Sequence, residues 1–293
     1  MKQHTKIGQL FLHLFFIIFC LAYIIPFLLL ISISISSESA IREYGYTILP
    51  KVVSFAAYKQ IFANPNTMLT AYKTTLTFSL ATTAGAILVT SLAAYPLSRP
   101  SFKFKKQFSF YLFFTMLFSG GLVPSYIINT NVLHLNDTIW IYILPGLVSA
   151  WNVIVVRTFF QGLPSELLDA AKIDGLSEMG MLFRIVLPLS TPVLATIGFM
   201  TLLGNWNNWN TSLIYIDNPK LYSLQYMLQR ILNEAEFLKQ AASDGTGLMD
   251  VSDMPTDSLK YAMAMVAAGP MLVIFPFFQK YFTQGLVVGS VKG

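Results

Sequence analysis

Leu163-Pro164-Ser165-Glu166-Leu167-Leu168-Asp169-Ala170-Ala171-Lys172-Ile173-Asp174-Gly175 runs on into Leu176-Ser177-Glu178-Met179-Gly180-Met181-Leu182-Phe183-Arg184-Ile185-Val186-Leu187-Pro188. The stretch is a polar island, with Glu166, Asp169, Lys172, Asp174, Glu178 and Arg184 set between long apolar runs. Pro164 and Ser165 suit a helix start and Gly175 a helix stop, which predicts a helix over about 164–174. About eleven residues are too few for a helix to stand alone in water, so this one must dock on something.

The surroundings are greasy. Of 293 residues, 55 % are hydrophobic and 11 % charged, and the mean hydropathy is +0.60. A soluble domain has about a quarter of its residues charged, so an integral membrane protein is expected. The single cysteine, Cys20, rules out a disulfide within the chain and a CxxC metal site, and reads as a packing residue. His4, His13 and His134 have no ligand-like spacing. The net charge of +5 needs no nucleic-acid partner, because its placement around the spans accounts for it.

Outward from the island, six apolar spans are expected in one transmembrane domain, 1–293. The first, 7–35, follows Lys2 and Lys6 as a signal peptide would. Its apolar run is about twice a signal h-region and no clean small-x-small cleavage site follows, so it is expected to stay as an anchor. The second, 70–97, is rich in Ala, Thr, Ser and Gly, which permit close helix packing in lipid. Arg99, Lys103, Lys105 and Lys106 separate it from the third, 108–129, where Gly120-Gly121 and Pro124 predict a break. The fourth spans 139–161. Arg157 lies about eighteen residues into it, roughly 27 Å along a helix, which puts it at the far interface. At the bilayer centre it would cost about 2.5–3.5 kcal/mol. After the loop 162–187 come the fifth span, 188–214, a long acidic loop, 216–259, and the sixth span, 260–282.

Six spans put both termini on one side. That side and the island carry Lys2, Lys6, Arg99, Lys103, Lys105, Lys106, Arg157, Lys172, Arg184, Lys280 and Lys292, while the longer opposite side has the other eight cations. The positive-inside rule therefore places the termini and the island in the cytoplasm.

Enzyme classes fail on inventory. There is no G-x-x-x-x-G-K-[ST], H-E-x-x-H or G-x-S-x-G element. The spans hold almost no carboxylate, which argues against a proton-relay pump. Glu234 with Glu236 and Asp250 with Asp253 read as a solvated face rather than a glycosidase pair. Transport remains for a multi-span chain without catalytic residues. The most polar intramembrane stretch is Gly204-Asn205-Trp206-Asn207-Asn208-Trp209-Asn210-Thr211-Ser212. On a continuous helix, Asn205, Asn208, Trp209 and Ser212 would share one face. Amides and indoles suit sugars, so these four are translocation-path candidates. Hydrogen bonding between helices with interfacial Trp is the equally open alternative.

The island also carries a motif: Asp169-Ala170-Ala171, three residues, Gly175, nine residues, Ile185, one residue, Leu187-Pro188. It resembles the EAA motif of permease subunits of binding-protein-dependent ABC importers, with Asp169 in place of the usual Glu. Ala94-Tyr95-Pro96-Leu97-Ser98-Arg99, Phe118 to Pro124, Trp206-Asn207-Asn208-Trp209 and the ending Gln284-Gly285-Leu286…Gly289-Ser290-Val291-Lys292-Gly293 are similar to the carbohydrate-uptake, MalG/LplC-like branch. The resemblance implies an all-α, six-helix type I importer permease with a cytoplasmic coupling helix. It implies a heterodimer with a second permease, two copies of a cytosolic ATP-binding subunit, and an external sugar-binding protein delivering oligosaccharides or polysaccharide fragments. The chain itself is expected to be non-catalytic and without a cofactor, Mg-ATP belonging to the ATPases.

By the same resemblance, Glu166, Asp169, Ala170, Ala171, Lys172, Gly175, Arg184 and Pro188 couple the chain to an ATPase. Leu167, Leu168, Ala170 and Ala171 would form the docking face. The 216–259 loop would touch the binding protein, and the 285–293 tail would reach between the ATPases. A secondary transporter of a sugar-like solute, working alone, is the alternative. It would need intramembrane carboxylates and an inverted repeat, and neither is evident.

Overall fold

A computed structural model describes residues 6–243 and 255–288. Asp250, Asp253 and the end of the tail, 289–293, lie outside the described residues. Among these residues the fold is helical, with one isolated bridge between Ser36 and Val53 and no strand. Three helices are long and apolar enough to cross a membrane: Gly8–Ser34, Pro65–Ser98 and Asp257–Tyr281. Three further candidates are bent pairs: Lys105–Leu117 with Leu122–Val132 at 113°, Trp140–Gly146 with Ala150–Gln161 at 45°, and Glu178–Leu189 with Thr191–Trp206 at 79°. If each pair is one span, the total is six.

Each bend sits where the backbone loses a helical bond or must turn. Gly121, at φ +84°, opens the second half of the third span, so that break falls at Gly120-Gly121, with Pro124 inside the helix that follows. Pro145 interrupts the fourth span, and Pro188 and Pro192 flank the kink at Ser190. Proline has no N–H to donate and crowds the preceding turn.

Contacts gather into two compact units. The first comprises Met1–Met68 and Met227–Pro270. Its leading helix, Lys6–Ser34, is exposed along almost its whole described length, Cys20 included, and only Ser32, Ile33 and Ser34 at its end are buried. Those serines anchor the turn that follows: Ser32 Oγ donates to the Thr47 carbonyl at 2.7 Å, and Tyr58 Oη donates to Ser34 Oγ at 3.0 Å. Ser37 caps the short helix Glu38–Tyr44 by accepting from the Ala40 amide, and Gly45 ends it at φ +71°. The acidic loop contains a long amphipathic helix, Leu224–Ser243. In it Glu236 is not half of a free carboxylate pair, because Lys260 Nζ lies 2.9 Å from its Oε1.

The second unit comprises Leu69–Tyr226 and Met271–Gly293. Small residues of the second span let other segments approach closely. A Cβ on Gly85 would lie 2.5 Å from Leu147 Cδ2, and one on Gly198 would lie 2.8 Å from Ile87 Cδ1. Phe78 stacks on Tyr142 with centroids 4.2 Å apart, and Thr75 Oγ1 accepts from the Leu224 amide at 2.8 Å. At the other end of this unit an apolar cluster joins Ala94, Tyr95 and Leu97 to Val153, Val156 and Phe160, and both sets to Leu168, Leu182, Val186 and Ile197. This cluster is the floor on which the polar island rests.

Candidate coupling site

The island helix runs Ser165–Ile173, with Pro164 before it. Glu166 in its first turn and Lys172 in its last complement the helix dipole. The helix closes as a Schellman motif. The Leu176 amide donates to the Ala171 carbonyl and the Gly175 amide to the Lys172 carbonyl, both at 3.0 Å. Gly175 takes φ +78°, the left-handed value the motif demands. A Cβ there would meet nothing within 4 Å, so conformation and not space selects glycine.

Only one side of this helix is anchored. Leu168 and Ala171 are buried, three residues apart on the inner face, and Leu168 belongs to the apolar cluster. Leu167 is 45 % exposed and Ile173 is 87 % exposed, and Ala170 lies open between them. The four-residue docking face expected from sequence therefore divides. Leu168 and Ala171 hold the helix to its own chain, leaving Leu167 and Ala170, joined by Ile173, facing outward with Glu166, Asp169 and Lys172 around them. Packing decides this split, because the periodicity admits either side. Arg184 is exposed in a π-helical turn, Leu182–Val186, that leads into Pro188.

Glu178, a residue of the polar island outside the expected coupling set, organises the joint. Ser177 caps the turn Glu178–Met181 by accepting from the Gly180 amide. Tyr95 Oη donates to Glu178 Oε2 at 2.6 Å. Arg99 Nη2 lies 3.7 Å from the same oxygen, and Lys172 Nζ lies 3.6 Å from Oε1. The Arg99 guanidinium also sits 5.1 Å above the Tyr95 ring. The Tyr95 hydrogen bond, opposed by burial and helped by Arg99 and Lys172, holds the Glu178 carboxyl below its ordinary range. The available signal was weak: a Tyr and an Arg four residues apart at a span end, and an acid far along the chain.

The polar stretch of the fifth span is not one continuous face. Its helix ends at Trp206 and a new one starts at Asn210, so Asn205, Asn208, Trp209 and Ser212 are divided by a break. Asn side chains compete with helical backbone bonds, and here they do so. Asn205 Nδ2 donates to the Thr201 carbonyl and Asn207 Nδ2 to the Leu203 carbonyl. Asn208 Oδ1 accepts from the Thr211 amide. Ser212 is buried in a hydroxyl cluster, 2.6 Å from Tyr142 Oη and 2.9 Å from Ser223 Oγ. Trp209 is 46 % exposed, and Asn205 and Asn208 are half-buried.

No group of three or more His, Cys, Asp or Glu among the described residues could hold a metal ion. A helical chain with up to six candidate spans and one short helix anchored on a single face is built as a membrane component. The chain belongs to the family of binding-protein-dependent transport system inner membrane components, whose model matches residues 2–288. It is 36 % identical to Protein LplC of Bacillus subtilis (strain 168) over 270 residues, covering 92 % of this chain and 90 % of that one. It is 34 % identical over 293 residues to the polygalacturonan/rhamnogalacturonan transport system permease protein YtcP of the same organism, covering 99 % of each. In fold it matches a chain in the crystal structure of a bacterial ABC transporter involved in import of the acidic polysaccharide alginate. The TM-score is 0.76 at 24 % identity, over 96 % of this chain and all of that one.

Proposed function

We propose that this chain is the permease subunit of an ATP-driven importer that passes oligosaccharides or polysaccharide fragments from an external sugar-binding protein into the cytoplasm. The observation that carries the reading is the anchored EAA helix with its bare outer face of Leu167, Ala170 and Ile173. Such a face, edged by Glu166, Asp169 and Lys172, is what a cleft in an ATP-binding subunit would receive. Two copies of that subunit would bind Mg-ATP and hydrolyse it, and a second, related permease would complete the membrane unit. Both termini and the EAA loop would then be cytoplasmic, in keeping with the cation distribution.

Closure of the ATPase dimer would push the EAA helix. Gly175, Arg184 and Pro188 would pass that movement to the fifth span and so switch access from one side to the other. Asn205, Asn208 and Trp209 are the proposed contacts for the passing sugar, through amide hydrogen bonds and an apolar ring face. The acidic-polysaccharide relatives favour large or acidic glycans as cargo. A stand-alone secondary transporter is disfavoured by the scarcity of carboxylates in the spans. Affinity purification of the chain from mild detergent tests the reading. An ATP-binding protein and a second permease should co-elute, and elution of the chain alone would refute it.

A further inference from the structure

The EAA loop is joined covalently to the fourth and fifth spans, but the second span reaches it only through space. Two kinds of contact make that link. Leu168 shares an apolar cluster with Ala94, Tyr95 and Leu97, and Glu178 meets Tyr95 and Arg99. The hydrophobic effect is non-directional, so apolar contact alone does not single out one geometry as a short polar contact does. A charge-assisted hydrogen bond is directional and short, and fixes one geometry. On the Glu178 side apolar packing is also incomplete. A cavity of about 450 Å³ opens between the two elements, walled by Leu92, Pro96, Phe102 and Met179 beside the Tyr95, Arg99 and Glu178 contacts. The polar contacts bridge that gap.

We infer that Glu178 is a positioning residue that transmits movement of the EAA helix to the second span, through Tyr95 and Arg99 on one side and Lys172 on the other. The inference rests on the reading of Ser165–Ile173 as the ATPase-coupling helix. Lys172 lies on that helix and reaches Glu178 Oε1, so a push on the helix arrives at the carboxylate from one direction. Tyr95 and Arg99 are one helical turn apart at the end of the second span and hold Glu178 from the other. Without this link, the stroke would reach the fourth and fifth spans through the chain itself and the second span only through apolar packing.

The test uses the assembled transporter in proteoliposomes, comparing wild type with Glu178→Gln, Glu178→Asp and Tyr95→Phe. Mg-ATP is the fuel, and a binding protein charged from a mixed oligosaccharide hydrolysate is the probe. Complex yield and basal hydrolysis should match wild type. Binding-protein-stimulated hydrolysis should fall about tenfold in Glu178→Gln, the scale of losing one hydrogen bond to a charged group. Tyr95→Phe should fall severalfold, and Glu178→Asp should lie between Gln and wild type. The Tyr95→Phe, Glu178→Gln double variant should be no worse than Glu178→Gln, because both changes break one link. Stimulation within about twofold of wild type in both Glu178→Gln and Tyr95→Phe, or additive losses in the double variant, would overturn the inference. Loss of assembly in both Glu178→Gln and Tyr95→Phe would overturn it too, by assigning the carboxylate to folding. A wild-type complex that does not assemble, or does not respond to the binding protein, would instead sink the coupling reading itself.

Discussion

Glu38 and Thr256, 218 residues apart in sequence, are joined by two hydrogen bonds: the Thr256 hydroxyl donates to Oε1 at 2.9 Å and its amide to Oε2 at 3.1 Å. The Asp257 and Ser258 amides and the Ser258 hydroxyl donate to the same carboxylate at 3.2–3.3 Å. Lys239 Nζ lies 3.6 Å from Oε1 and donates to Thr256 Oγ1 at 2.6 Å. A carboxylate from the segment after the first span thus caps the N-terminus of the last long helix, Asp257–Val288, where the helix dipole favours negative charge. Burial alone would raise the Glu38 pKa, but the hydrogen bonds from Thr256, Asp257 and Ser258 outweigh it and hold the group below its ordinary value.

Glu38→Gln should therefore lower stability by about 1–3 kcal/mol, because a neutral amide cannot accept all these donors. Thermal unfolding of the detergent-solubilised protein measures this. The sign of the pH effect follows from the depressed pKa. The contribution of Glu38 is complete above its ordinary value of 4.5 and is lost as pH falls through the lower folded value. Wild type should thus lose midpoint temperature on acidification below 4.5 more steeply than Glu38→Gln. Parallel curves would exclude the cap as the cause.

Gly175 needs its left-handed backbone and has open space around it. Alanine at this position should cost about 1–2 kcal/mol of loop stability, while Asn, which tolerates that conformation, should cost less. Gly175→Glu should insert into the membrane normally yet abolish transport-linked ATP hydrolysis. Hydrolysis assays on the three variants check the order Asn, Ala, Glu.

The two faces of the EAA helix should respond oppositely to charge. Ile173→Asp and Leu167→Asp place a carboxylate on exposed positions and should leave expression and melting unchanged while removing the ATP-binding subunit from pull-downs. Leu168→Asp puts an unpaired charge into the apolar cluster and should cost several kcal/mol, about the scale of an uncompensated buried charge. Equal binding of the ATPase by Ile173→Asp and wild type would dismiss the exposed face as the dock.

Ser212 and Trp209 should likewise separate. Removing the Ser212 hydroxyl leaves Tyr142 Oη, Ser223 Oγ and the Ser223 amide short of a buried partner. Ser212→Ala should therefore destabilise by about 1–3 kcal/mol. Trp209→Ala, at a half-exposed position, should leave melting unchanged and reduce sugar uptake at saturating ATP. A folding defect in Trp209→Ala, with normal uptake per folded molecule, would remove it from the path.

What could be read from sequence were features written within one or two helical turns, or in composition. Apolar runs longer than about 18 residues announce the spans, and Gly120-Gly121 predicts the break in the third, whereas Pro26 and Pro96 lie inside unbroken helices. The Gly175 stop and the EAA spacing lie within one segment, and the family match over residues 2–288 agrees with that reading. Even there, local rules overreached in one place. They made Asn205, Asn208, Trp209 and Ser212 a continuous face, whereas the amides at 207 and 208 break the helix between them.

Tertiary structure alone decided which half of the EAA helix points inward, and it alone brought Glu38 to Thr256, Tyr95 to Glu178, and Tyr142 to Ser212. The physical reason is common to all four. An amphipathic period states that a helix has two faces without naming the neighbour of either, and a polar side chain shows only that it needs a partner. The partner is chosen when distant helices pack, 70 to 218 residues away in the chain, beyond the reach of any rule about adjacent turns.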